Sequence, residues 1–519
     1  MRPVRVIPSA ELEAERRAAR FSRIAWLAGA ALLMLVVTVQ PLRDTDVWWH
    51  LALGKLITAH GIPPQEPFSF LVAAHGWIGQ QWLYEVLLAG LIGAGGPGAA
   101  SVVMGVLACA ALAIAVLAVP RNARVPGAWL AVAVVLSGLV FGQLVGVRGQ
   151  VITLLGAAIV LFVLARWREG RVAAVWFLPP LFLLWANLHA GFIVGLLLAG
   201  AALVMATPVA PAVTLSRRPL ALALGGAVLA TLINPAGSWL YGYVAETFAN
   251  PTLTQVVTEW MSPDFHNVWL RVFEGEAVLL VVLWVTGGGP DRFHALLAFA
   301  ALIASLQSQR NVSLFAVVAA PQVALYGWRS WQAHVAPRLH RGPRRGPGPT
   351  RTTLTAAALV AVAAAAGATV LPTITPAAAA SFEASRYPKT AVDYLLRNFE
   401  GQRVYTPDTW GGYLAYRVEG TQWGRVVFLY DETAIFGDAA LQRYLDVHLL
   451  RPDWLTVLTQ ESIGVAIVGD MSQEASALHV ARWRAACHDS ASSSTVFWSP
   501  GVAPPSSGLP SAGGSTPAC

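Results

Sequence analysis

Two carboxylates stand two residues apart in Arg43-Asp44-Thr45-Asp46-Val47-Trp48-Trp49-His50-Leu51, directly after an apolar stretch that ends near residue 42. At the edge of a low-dielectric region a carboxylate gains pKa, which makes it a better proton acceptor near neutrality. Asp46 and Asp44 could therefore take a proton from a hydroxyl or amine, or hold a divalent cation. Equally, Asp44 could cap the next helix and Asp46 favour its N-terminal dipole. Other polar residues that could serve the same chemistry are scattered far along the chain. His50 and Glu85 could pair or contact hydroxyl groups. Arg148, Arg271, Arg310, Arg43 and Lys55 map near the outer ends of apolar runs, where they either snorkel or hold an anion. Gln150 follows Arg148, and His189 sits between Asn187 and Gly191 where two apolar runs meet. Glu259 and Asp264 lie among Trp239, Tyr241, Tyr243 and Trp260, a mixture that suits sugar rings or interfacial anchoring.

These residues need an apolar scaffold to bring them together, and the composition supplies one. The 519 residues are 56% hydrophobic and 12% charged, with mean hydropathy +0.56. Soluble domains carry about twice that charge. Apolar runs near the ~18-residue spanning length recur from Ile24 to about Pro372. Helices are expected at roughly 24–42, 98–119, 127–147, 150–166, 173–188, 190–209, 219–234, 272–287, 293–308, 311–327 and 353–372, with Pro179 and Pro180 interrupting the fifth. Two further helices are expected in the first long connection. Residues 47–57 would lie along the membrane, with the tryptophans in the headgroup layer, and 81–93 would be interfacial or half-inserted.

The net charge of +7 does not mark a nucleic-acid binder, because the basic residues are dispersed among short connections. Arg121/Arg124, Arg166/Arg168/Arg171, Arg217/Arg218, Arg292 and the run from Arg338 to Arg351 fall on one side with the Arg-rich N-terminus, the cytoplasmic side by the positive-inside rule. The opposite connections, 43–97 and 234–270, are long, and Asn234 to Leu270 holds no Lys or Arg. The expected organisation is a cytoplasmic segment 1–23, a membrane domain 24–373, an extracytoplasmic α/β domain 380–498 and a disordered tail 499–519. The fold class is thus a mostly α polytopic membrane protein of about eleven spans with a small outer α/β domain, in the plasma (inner) membrane. Strands are expected at 402–405, 425–429, 465–468 and 496–498 of the outer domain, with helices at 390–398, 410–417 and 439–448. Asp431-Glu432 reads as an exposed turn. Cys109 reads as a core residue. Cys487 and Cys519 could pair outside the cytoplasm, whereas a disordered tail would leave them apart.

A long outer loop opening on an acidic motif resembles the GT-C superfamily of membrane glycosyltransferases, which includes protein O-mannosyltransferases and lipid A aminoarabinose transferases. Within it the chain is similar to a bacterial group marked by Asp44-Thr45-Asp46-Val47-Trp48-Trp49-His50-Leu51, Trp185-Ala186-Asn187-Leu188-His189-Ala190-Gly191-Phe192, Glu259-Trp260-Met261-Ser262-Pro263-Asp264-Phe265, Gln309-Arg310-Asn311 and Asp408-Thr409-Trp410-Gly411-Gly412-Tyr413-Leu414. Two positions depart from that pattern. Gly149 stands where proline is expected, and Gln80-Gln81 replaces a His-Glu pair. The resemblance implies a polyprenyl-phosphate-linked sugar as donor and an envelope lipid, glycan or protein as acceptor, on the outer face of the bilayer. It makes Asp46, then Asp44, the base or metal ligand, leaving a divalent cation open as cofactor. It leaves His50, Glu85, Arg148, Gln150, His189, Glu259, Asp264 and Arg310 to bind substrate. The outer domain would be a lid that binds acceptor or partner. A lipid-linked-glycan flippase would instead need ionisable residues near the bilayer midplane, and the charges cluster at the ends of the runs. A non-catalytic scaffold is the third alternative.

Overall fold

The computed structural model describes residues 9–71, 77–142, 144–339, 349–432, 435–504 and 516–519. The start of the N-terminal segment, most of the Arg338–Arg351 run and the centre of the 499–519 tail lie outside the described residues.

Every one of the eleven expected runs is helical. Three described helices are long and apolar enough to cross a bilayer, namely Trp82–Val116, Gln150–Arg168 and Gln309–Leu339. A bent pair, Val360–Ile374 and Pro376–Arg386, adds a fourth if it is one span. Gly127–Phe141, Phe192–Met205, Arg218–Thr231 and Arg292–Gln307 are apolar but shorter. At 1.5 Å per residue each falls short of a ~30 Å core unless its flanking turns contribute. Their outer faces still carry large apolar side chains, among them Leu197, Val204, Leu222, Leu229 and Phe299. Pro179 and Pro180 do not interrupt a helix. They occupy the first turn of Leu178–Leu188, where a missing N–H costs nothing. One charge does lie in the middle of an apolar helix. Glu276 of Val268–Thr286 is buried and accepts a hydrogen bond from Ser137, contrary to the expectation that charges keep to the ends.

The expected half-inserted helix at 81–93 is the first part of Trp82–Val116, which breaks at Gly96 (φ 72°) before Pro97. In the helix expected along the membrane, Asp46–His60, the tryptophans are not free to anchor in a headgroup layer. Trp48 and Trp49 are buried, packed on Tyr387, Tyr413, Tyr416 and Tyr430 of the C-terminal domain.

That domain is a four-stranded sheet of β1 (Arg403–Tyr405), β2 (Ile463–Gly469), β3 (Arg484–Asp489) and β4 (Ser494–Trp498), in the order β1-β2-β4-β3. β1 and β2 are parallel; β2–β4 and β4–β3 are antiparallel. The run at 425–429 is irregular, yet Val427 bridges to Val404 and to Ser69 of the first outer loop. Phe70 N–H donates to the Val427 carbonyl and Val427 N–H to the Phe68 carbonyl, so the loop extends the sheet edge. Glu66 fixes this junction, accepting from Phe68 and Ser69 N–H and from the Tyr430 hydroxyl. Cys487 and Cys519 form a disulfide, and residues 516–519 run beside β3.

The Asp408–Val418 helix shows why two glycines adjoin. A Cβ on Gly411 would stand 2.0 Å from the Leu429 carbonyl oxygen, and one on Gly412 would stand 3.2 Å from the Trp49 ring. The motif is therefore a docking surface. Gly411→Ala should destabilise the protein by about 1–3 kcal/mol through backbone overlap. Thermal unfolding in detergent checks this, and an unchanged midpoint would show that the helix is not held so closely.

Candidate functional site

A cavity of about 210 Å³ opens where the helical body meets the C-terminal domain. Its walls gather Asp46, His50, Arg148, Gln150, His189, Glu259 and Arg310 from the expected set. A second cavity of about 540 Å³, lined by Arg43, Asp44, Thr258, Asp408 and Thr409, adjoins it. Asp46, Arg148, Gln150, Glu259, Arg310 and Asp431 line both, and so form the partition between them.

The partition is an ionic lattice. The Arg148 guanidinium donates to both Asp44 carboxylate oxygens and to Glu259 Oε2 at 2.8 Å, with Asp46 Oδ2 4.0 Å away. Arg310 pairs with Glu259 Oε1 at 3.4 Å and lies over the Trp260 ring at 4.3 Å. Two sequence motifs are stitched together here. Gln309 donates to the Thr258 and Met261 carbonyls, and Ser308 donates to that of Glu259. Burial alone would lower the pKa of Arg148, but Asp44, Asp46 and Glu259 hold it well above its ordinary value. Arg310 and Arg148 overcome burial at Glu259 and hold its carboxyl below the usual range.

Asp44 and Asp46 divide their roles. Asp44 is consumed by Arg148 and by the Asp46 backbone N–H at the start of Asp46–His60. Asp46 accepts only a long bond from Trp49 Nε1 at 3.4 Å, and its exposed quarter faces the cavities. Burial first, then the Asp44 charge, pushes its pKa up to about 7 against the pull of Arg148. A carboxylate so poised is suited to accept a proton near neutral pH. A metal fits poorly. Arg148 engages both Asp44 oxygens, and among the described residues no group of three or more His, Cys, Asp or Glu side chains is placed to hold an ion.

His189 ends the Leu178–Leu188 helix. Its Nδ1 accepts from Gly191 N–H at 3.0 Å and from the Thr153 hydroxyl at 2.8 Å, which leaves its proton on Nε2. Burial and Arg310 lower its pKa to about 3, so the ring is neutral and donates one N–H. The glycine at 149 belongs to this arrangement. A Cβ there would stand 2.8 Å from His189 Cδ2 and 3.1 Å from Gln81 Oε1. Gln150 donates to the Arg310 carbonyl and so ties the Gln150–Arg168 helix to the arginine.

Two expected site residues lie elsewhere. Asp264 is exposed and pairs with His266 at 2.7 Å, outside both cavities, because the chain turns outward after Trp260. Glu85 is buried behind the site, with Oε1 3.6 Å from His50 Nδ1, and lines neither cavity. His50 is buried, and that burial holds its pKa well below the ordinary value.

The Asp431-Glu432 pair is no exposed turn. Glu432 is buried, Asp431 lines both cavities, and Gln80 Nε2 donates to Glu432 Oε1. Their one sequence signal was a pair of acids directly after the apolar run Val426–Tyr430.

No family model matches the chain, and no curated protein does. Among solved structures it is similar to the archaeal oligosaccharyltransferase AglB from Archaeoglobus fulgidus in complex with an inhibitory peptide and a dolichol-phosphate. The TM-score is 0.50 at 13% identity, over 87% of this chain and 70% of that one. The same organism's oligosaccharyltransferase tethered to an acceptor peptide gives 0.50 at 13%, over 86% and 68%. This chain shares the fold of these oligosaccharyltransferases. ArnT from Cupriavidus metallidurans bound to undecaprenyl phosphate overlaps at a TM-score of 0.49 and 14% identity, over 91% and 97%. At such identities the likeness speaks for the chain path alone, and the roles of side chains rest on their geometry here.

Proposed function

We propose that the protein is a polytopic membrane glycosyltransferase that moves a sugar from a polyprenyl-phosphate donor to an acceptor hydroxyl or amine at the outer face of the membrane. The observation that carries this reading is the pair of cavities that share Asp46 as a common wall. The smaller one has an apolar flank of Leu154, Ile193, Val194, Val244, Phe248 and Leu314 beside Arg310, Arg148 and His189. Such a flank suits an isoprenoid chain, and the cationic group suits its phosphate. The larger one is bounded by the C-terminal domain and offers room for an acceptor. The AglB structure contains a dolichol-phosphate and a peptide, one ligand of each kind.

In this reading Asp46 removes the acceptor proton as the acceptor oxygen or nitrogen bonds to the anomeric carbon. The bond from that carbon to the phosphate oxygen breaks, and the electron pair leaves with the phosphate. Arg310 and Arg148 stabilise the added negative charge, and His189 Nε2–H supplies a neutral donor. Chain order and charge support about eleven spans, a cytoplasmic N-terminus and an extracytoplasmic C-terminal domain. A flippase would be favoured by Glu276 alone, and that carboxylate touches neither cavity.

Turnover of radiolabelled polyprenyl-phosphate sugars in lipid nanodiscs tests the proposal. Asp46→Asn should keep donor binding and lose about 100-fold or more in turnover, the usual contribution of a general base. Full activity would remove Asp46 from the mechanism. The base works only when ionised, so kcat/KM should rise with pH through about 7 and fall below it. A flat profile between pH 6 and 8 would contradict that role.

A further inference from the structure

The donor cavity is polar at two places that share no hydrogen bond. Arg310, Arg148 and Glu259 form one cluster. Gln80, Glu432 and Tyr243 form the other, in which Gln80 Nε2 donates to Glu432 Oε1. The second cluster holds no cation; among the described residues no basic side chain pairs with Glu432. Glu432 is 5% and Gln80 4% exposed, yet Glu432 Oε2 and Gln80 Oε1 have no hydrogen-bond partner. Buried polar atoms are rarely left so, and both residues line the cavity. A ligand whose hydroxyls donate to these oxygens would complete them, while a phosphate anion would find no cation in this cluster. The Tyr243 ring in the same wall could flank a pyranose.

We propose that Gln80 and Glu432 form the sugar-reading end of the donor cavity, with Arg310 and Arg148 holding the phosphate at the other. This rests on the donor reading above and deepens it. The chemistry selects a sugar rich in hydroxyl or amine donors. Burial pushes the pKa of the Glu432 carboxyl up to about 8, so a uronic acid is disfavoured above that pH, where its carboxylate would face an ionised Glu432. It also gives the C-terminal domain a part in donor choice. Gln80 enters from the first outer loop and Glu432 from the far end of the sequence, so the sugar end is complete only when the domain is docked.

Binding to the full-length protein in nanodiscs tests this with three probes: polyprenyl phosphate, the same lipid carrying a hexose, and the same lipid carrying a uronic acid. Wild type should bind the hexose lipid more tightly than the bare lipid. Gln80→Ala and Glu432→Gln should each lose about tenfold of that gain, and bare-lipid binding should change by less than about twofold, which also reports that the variants are folded. Above pH 8, where Glu432 is ionised, the uronate lipid should bind wild type more weakly than the hexose lipid. Retention of the full hexose gain by both variants, equal loss of all three probes, or tighter binding of the uronate above pH 8 would overturn the assignment. Failure of wild type to bind any of the lipids would overturn the donor reading itself, and this one with it.

Discussion

The site depends on one guanidinium. Arg148 stands between Asp44, Asp46 and Glu259, three carboxylates from two outer loops, and without it their charges would repel in a poorly solvated corner. Because Asp44 and Glu259 take the direct bonds, Asp46 Oδ2 is left 4.0 Å away and Oδ1 takes a long bond from Trp49. The arginine thereby does two jobs. It joins the loops into one wall, and it limits how far the pKa of Asp46 rises, which keeps that carboxyl near neutrality. A planar, always-charged fork can make these bonds at once; a lysine ammonium could not span them in the same geometry.

The second dependence is the docking of the C-terminal domain. Edge-strand pairing at Phe68–Phe70, Glu66 beneath Tyr430, and Trp48 and Trp49 against the tyrosine cluster hold the domain on the first outer loop. The second loop adds Thr252, which contacts Asp438 and Gln442. The Asp431-Glu432 pair, delivered by the chain that leaves the bridged Val427, then closes the cavity. The domain is thus a fixed wall of the site and more than a lid laid over it.

Local signals in the chain carried the helical body and the membrane-side half of the site. Arg148, His189 and Arg310 are polar residues at the ends of apolar runs, where position alone limits where they can point. Asp46 stood out for the same reason. Contacts between distant segments were not readable in this way. Glu432 meets Gln80 across 352 positions, and nothing in either neighbourhood signals the other. Trp48 and Trp49 carried the composition of membrane anchors, but a cluster of tyrosines from the far end of the chain buries them. Asp264 shared a promising motif with Glu259, and the turn between them sends the two side chains to different places. Gly149 and Gln80-Gln81, which looked like losses against the resembling pattern, pack against His189 and Glu432 and belong to the site.

The central claim is that Arg310 and Arg148 receive the phosphate of a lipid beside Asp46. Its most direct test is an experimental structure of the protein in nanodiscs with polyprenyl phosphate bound. The account predicts phosphate oxygens about 3 Å from the Arg310 guanidinium, with the isoprenoid along Leu154, Val194 and Phe248. A phosphate bound away from both arginines, with Arg310 still paired to Glu259 and the smaller cavity empty of lipid, would contradict it.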